Sequence, residues 1–182
     1  ANGGHLIITC RTATKNRMGH FWEGKLAAPI SGLIGAQVTA TDMLSAYGKG
    51  DVQMESTHYG WNNWADLLQP NQDTEVLASY ENQFYKGTAA VVKQKIGKGS
   101  VTYIGVATDD FKLEKDLLRN IYTQAGATTE DYPPGVYVYW RDGFYMAVNY
   151  SSTNYTMHIP ETAKVLVGEK TLKPADVLVW SE

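Results

Sequence analysis

Gly97-Lys98-Gly99-Ser100-Val101-Thr102-Tyr103-Ile104-Gly105 follows an extended run, Thr88 to Ile96, and precedes a segment closing on Ala125-Gly126-Ala127. The upstream run is apolar and β-branched, which suits a strand, and the glycine pair suits a tight reversal into a second one. From Phe111 to Ala125 the apolar positions Phe111, Leu113, Leu117, Leu118, Ile121 and Ala125 mix three- and four-residue spacings. That stripe predicts a helix lying on a sheet, with Asp109 or Asp110 as N-cap and Gly126 as C-cap. Strand, glycine turn, strand and helix together predict an open α/β edge.

Working outward, Leu6 to Cys10 is an almost unbroken apolar run, the pattern of a strand buried between two helix layers in a parallel sheet. A polar loop, Arg11 to Gly19, leads to Phe21-Trp22-Glu23-Gly24. Ala28 to Ile34 predicts a short helix, begun at Pro29 and stopped by Gly35. Strands are expected at Gln37–Ala40, Val52–Glu55 and Glu75–Tyr80, while the element at Trp61–Leu68 is left open. Beyond Thr128–Pro134 the chain turns strand-rich, with Arg141-Asp142-Gly143 marking a hairpin. Further strands are expected at Tyr155–Ile159, Ala163–Val167 and Val177–Trp180. A boundary near residue 130 gives two domains, 1–130 and 131–182.

With 182 residues, 43% hydrophobic and 19% charged, the composition is that of a folded globular protein. A net charge of −3 without an evident basic cluster argues against a nucleic-acid partner. The apolar runs fall short of the roughly 20 residues that span a bilayer, so no membrane partner is expected. One cysteine, Cys10, excludes an internal disulfide. Ala1-Asn2-Gly3-Gly4 lacks an initiator methionine and a leader pattern, and reads as a helix C-cap feeding a strand, with earlier elements expected upstream.

Candidate chemistry is sparse. Cys10 follows a strand as a nucleophile would, but an elbow needs small residues two positions either side, and here these are Ile8 and Thr12. His158-Ile159-Pro160-Glu161 is one residue too long for a His-x-Glu pair, and His5, His20 and His58 lack ligand spacing, so neither metal nor cofactor is expected. Gly97-Lys98-Gly99 leads into a strand, not a helix, and so is a hairpin turn, not a phosphate loop. Glu23 beside Phe21 and Trp22 has no second carboxylate at the separation glycoside hydrolysis requires. Surface or subunit contact explains it better, and Asp109-Asp110 reads as a helix cap. Tyr137 and Tyr139, alternate residues of one strand, share a face and could form a sugar platform. Core enlargement by aromatics is the competing reading. Asn149-Tyr150-Ser151 and Asn154-Tyr155-Thr156 match glycosylation acceptors only at chance level.

Taken in order, Gly3-Gly4-His5-Leu6-Ile7-Ile8-Thr9, Phe21-Trp22-Glu23-Gly24, Ile34-Gly35, Trp64-Ala65-Asp66-Leu67-Leu68, Tyr80 to Val92 and Gly97 to Gly105 resemble the middle domain of family-42 β-galactosidases. The likeness covers roughly residues 3 to 127, and the chain from about 133 onward resembles that family's small C-terminal β-domain. The resemblance implies an α/β fold: a partial flavodoxin-like domain, similar to class I glutamine amidotransferases but without their triad, then a small antiparallel β-domain. It also implies a bacterial β-galactosidase parent, a homotrimer, whose two catalytic glutamates lie on a TIM barrel without counterpart here. The galactoside would be met through that barrel. Arg11, Phe21, Trp22 and Glu23 are then candidates for a subunit interface or active-site rim. No catalytic residue is carried over.

Overall fold

A computed structural model describes residues 3–45 and 47–182; the reading of Ala1-Asn2 lies outside them. The chain forms two compact units, Ala1–Ala127 and Thr128–Glu182.

The first unit contains strands β1 (His5–Thr9), β2 (Ala36–Asp42), β3 (Gly50–Met54), β4 (Thr57–Pro70), β5 (Glu75–Tyr80), β6 (Ala89–Ile96), β7 (Gly99–Ile104) and β8 (Val106–Thr108). A 3-10 turn at Ala28–Ile30 runs into helix α1 (Ser31–Ile34), and α2 spans Lys112–Gln124. Sheet order is β1-β7-β6-β5-β3-β4-β2, with β8 on β4 and a further β4–β6 bridge. These pairings close a ring, β3-β5-β6-β4.

Among the described residues only β1 and β7 run parallel; the remaining pairs are antiparallel, and the protein is mostly β. This shifts the expected α/β balance, and one segment accounts for much of it. Trp61–Leu68, left open in the sequence, belongs to the fourteen-residue strand β4. The strand pairs with β2, β3, β6 and β8, so its apolar residues point to both faces and mask the period-two signal.

Both faces of the sheet are covered. On one lie Trp61, Tyr80, Val91 and the α2 residues Leu113 and Leu117. On the other lie Ile34 of α1, Val38, Leu68, Val92 and Tyr103. Val91 and Val92, neighbours in β6, therefore enter different cores, as pleating requires. The doubly buried strands are β4, β6 and β7, each with residues in both cores. Against expectation, β1 is an edge strand with Leu6 half exposed, because nothing among the described residues pairs with its outer side.

The Gly97 turn is the predicted hairpin, pairing Ile96 with Gly99. Gly35 stops α1 at φ 69°, where a Cβ would also overlap the Gln94 and Thr74 side chains. Gly50 is required for a different reason: the Trp61 indole lies where its Cβ would be. The α2 cap differs from expectation. Phe111, at φ 55°, is the N-cap residue, and Asp110 Oδ1 instead accepts the Lys112 N–H at 3.0 Å.

In the second unit β9 (Val136–Arg141), β10 (Phe144–Asn149), β12 (Lys164–Val167) and β14 (Val177–Ser181) pair in the order β12-β14-β10-β9. The short strands β11 (Tyr155–Thr156) and β13 (Thr171–Leu172) pair separately. The β9–β10 reversal puts Asp142 and Gly143 at φ 52° and 88°, the left-handed pair that an Asp-Gly hairpin predicts. Val136, Ala147, Leu172, Leu178 and Trp180 form the core, with Tyr145 stacked on Trp180 at 5.2 Å.

Candidate functional site

The chain leaving β1 turns sharply. Cys10 N–H reaches Ile104 O at 2.6 Å, and Arg11 and Ala13 take φ of 69° and 55°. From there the loop Arg11–Gly24 folds on itself. Asn16 Oδ1 accepts the Met18 and His20 N–H groups at 2.8 and 3.1 Å, and Lys15 bridges to Phe21. Two cations cover two rings: Arg11 lies 5.0 Å over Trp64 and Lys15 lies 5.2 Å over Phe21. Phe21 stays 60% exposed, and Trp22 and Glu23 are also solvent-facing. The structure thus gathers Arg11, Phe21, Trp22 and Glu23 into one surface loop.

Beneath the loop is a buried carboxylate that sequence reading did not single out. Asp66 accepts hydrogen bonds from Trp64 Nε1 at 2.8 Å and Tyr103 Oη at 2.7 Å, while Tyr80 Oη donates to its backbone carbonyl at 3.0 Å. Burial pushes the Asp66 carboxyl above its ordinary value, and the Tyr103, Trp64 and Arg11 backbone hydrogen bonds oppose that shift. Trp64 connects the two layers, taking Arg11 on its face and giving its N–H to Asp66. One polar letter inside Trp64-Ala65-Asp66-Leu67-Leu68 was the available signal.

Cys10 faces the same pocket of charge. Burial, then the Asp66 carboxylate, push its thiol up to about 11, and a thiol held protonated is a poor nucleophile. Native alkylation with iodoacetamide at pH near 8 is therefore expected to run at least about tenfold slower than in the denatured chain, because the thiolate fraction scales with the pKa gap. Equal rates, read by mass spectrometry, would contradict this placement.

His5 is also engaged in a way the sequence did not reveal: its Nδ1 lies 2.7 Å from Ser100 Oγ and its Nε2 2.8 Å from Thr102 Oγ1. Burial first, then the Lys93 charge, lower its pKa, which favours a neutral ring clasping β1 to β7. His158 is exposed beyond β11, and no cluster of three metal-ligating side chains occurs among the described residues.

In the second unit Tyr137 and Tyr139 are half exposed on one face of β9, their rings nearly parallel (17°) with centroids 6.5 Å apart. Tyr139, Trp140, Phe144, Met146 and Val179 border an open concavity of about 560 Å³. Asn149 is fully buried, so its glycosylation triplet is closed to modification in the folded unit.

These features define a mostly β, two-unit protein whose distinctive surface is a basic, aromatic loop over a buried carboxylate. Residues 1–130 match the family model of the β-galactosidase trimerisation domain, and residues 138–182 that of the β-galactosidase C-terminal domain. The chain belongs to the family-42 β-galactosidases through these two domains. It is 31% identical over 179 residues to β-galactosidase BgaH of Haloferax lucentense, covering 98% of this chain and 27% of that protein. β-Galactosidase LacA of Lactobacillus acidophilus is 32% identical over 125 residues, 69% of this chain and 18% of LacA. The solved β-galactosidase of the Antarctic haloarchaeon Halorubrum lacusprofundi shares the fold with a TM-score of 0.84 at 23% identity, over all of this chain and 28% of that one. The chain thus spans about a quarter of these relatives' length or less.

Proposed function

We propose that this chain is the non-catalytic C-terminal portion of a β-galactosidase that hydrolyses terminal β-D-galactosides, and that it serves subunit assembly, as a homotrimer, and shaping of the active-site entrance. The trimerisation-domain match over residues 1–130 carries this reading. The Arg11–Gly24 loop supports it, since exposed Phe21 and Trp22 beside Arg11 and Glu23 suit a subunit contact or the rim of a neighbouring site. On this reading residues 1–130 and 131–182 act as an assembly domain and a small β-domain. The parallel β1–β7 pair belongs to a flavodoxin-like layer that the longer protein would extend. Sedimentation of the purified chain should give a trimer's mass, and a chromogenic β-galactoside should stay uncleaved. A monomer would overturn the assembly role, and turnover would overturn the non-catalytic one.

A second reading, a carbohydrate-binding accessory role, is favoured by the near-parallel, half-exposed Tyr137 and Tyr139 rings, of which Tyr139 borders the second unit's concavity. Tyrosine and tryptophan fluorescence titrated with galactose checks it, and a flat response to high sugar would remove it.

A further inference from the structure

A closed ring of three copies is built from heterologous contacts, so each copy must carry two different, complementary surfaces. The first unit has two such surfaces on its described residues. The first is the loop after β1. It places Arg11, Lys15, Arg17 and the following Lys25 around a single carboxylate, Glu23, and exposes Met18, Phe21 and Trp22. In sequence these cations are too spaced to read as a cluster; the folded-back loop concentrates them.

The second surface is formed where the β2–β3 connection, the chain after β5 and the start of α2 meet. Asn82 Oδ1 accepts the Asp51 N–H at 3.0 Å, Glu81 N–H reaches Asp51 O at 2.8 Å, and Asp109 N–H reaches Gly60 O, opposite Asp51, at 3.1 Å. These bonds gather the carboxylates of Asp51, Glu81, Asp109 and Asp110, offset in part by Lys49, Lys86 and Lys112, and Glu81 Oε2 also lies 3.9 Å from His58 Nδ1. Tyr47 and Phe84, 98% and 92% exposed, stand among them, and Phe111 is exposed beside them. An aromatic ring held almost wholly in water gains by burial, and Phe84 is already fixed edge-on against Tyr85 at 4.8 Å. Among the described residues none of Arg11, Lys15 and Arg17 is ion-paired within the chain, and neither Asp51 nor Asp109 has a cationic partner.

We propose that the Arg11–Gly24 loop of one copy docks on the acidic, aromatic edge around Phe84 and Tyr47 of the next copy, which gives the assembly surface its partner. The inference rests on the self-association reading above. Opposite charge sets the orientation and the encounter, and burial of Phe21, Trp22 and Phe84 supplies the attraction.

The test separates the two claims. In sedimentation of the 182-residue chain, wild type should form a trimer, while Phe21→Glu and Phe84→Glu, both at exposed positions, should each be monomeric. Mixed one to one, the two variants should form a dimer and nothing larger, because each retains the surface the other has lost. A trimeric wild type with either variant still trimeric, or with a mixture that stays monomeric, overturns this docking but leaves self-association standing. A monomeric wild type overturns both.

Discussion

Asp66→Ala is expected to destabilise the first unit by about 4 kcal/mol, since it removes a buried carboxylate and strands the groups built around it. Asp66 is 2% exposed, and both of its side-chain donors, Trp64 Nε1 and Tyr103 Oη, would be left without an acceptor under the sheet. Against a typical domain stability of about 5–15 kcal/mol that is a large fraction. The urea midpoint, followed by tryptophan fluorescence, reads it. Asp66→Asn keeps one acceptor but turns an amide N–H₂ toward one of the two donors, so about half the loss is expected.

The pH dependence of Asp66 has a definite sign. Burial raises the native carboxyl above the ordinary value of 3.8, so the folded chain holds this proton more tightly than the unfolded one. As pH climbs from the ordinary to the native value the unfolded chain deprotonates first, and stability falls. The penalty is complete above the native value and absent below 3.8. Asp66→Asn lacks this slope, so the stability difference between variant and wild type should change with pH across that window. A difference constant with pH would refute the assignment.

In the second unit the largest loss is expected from Asn149→Ala, about 3 kcal/mol or more. Asn149 is fully buried with every side-chain hydrogen-bonding capacity in use. Its Nδ2 donates to Thr153 O at 2.8 Å and Leu172 O at 3.0 Å, and its Oδ1 accepts from Ser151 N at 2.9 Å and Ser151 Oγ at 2.7 Å. Alanine strips the buried Leu172 carbonyl of this donor and the Ser151 N–H of its acceptor, while the Thr153 carbonyl keeps only Ser151 Oγ at 3.0 Å. Because so short a unit has little core to spare, its near-ultraviolet dichroism should collapse while the first unit's signal persists. A variant with unchanged unfolding would show that the tie is dispensable.

How much of this was legible follows from where local rules act alone. The β6–β7 hairpin, the Asp142-Gly143 turn, α2 and the Gly35 stop were readable because each is decided within a few residues by turn chemistry or a single periodicity. β4 and the edge position of β1 were not readable. Both depend on which distant strands lie alongside, and an apolar run looks the same in the middle of a sheet as at its border. Of the site, Arg11, Phe21, Trp22 and Glu23 could be grouped on the family resemblance, as a subunit interface or active-site rim, and what the structure adds is that they share one surface loop. Asp66, Tyr103 and the His5 clasp could not, because their partners are 37 and 95 residues away in the chain. A lone aspartate in an apolar strand is the remaining clue, since burial of a charge demands donors from elsewhere.

The way β4 is shared among its neighbours also sets an order of events in time. A hairpin such as β6–β7 closes locally on a scale of about 1–10 μs, whereas β4 must gather partners from both sides of the sequence before its apolar faces are covered. β1 joins at the far end of that process, because pairing His5 with Ser100 closes a loop of almost the whole unit. Loop-closure entropy alone therefore predicts that the ring around β4 closes before the β1–β7 pairing forms. The Arg11–Gly24 loop, hung from the end of β1, is by the same entropy the last part of the unit to be placed.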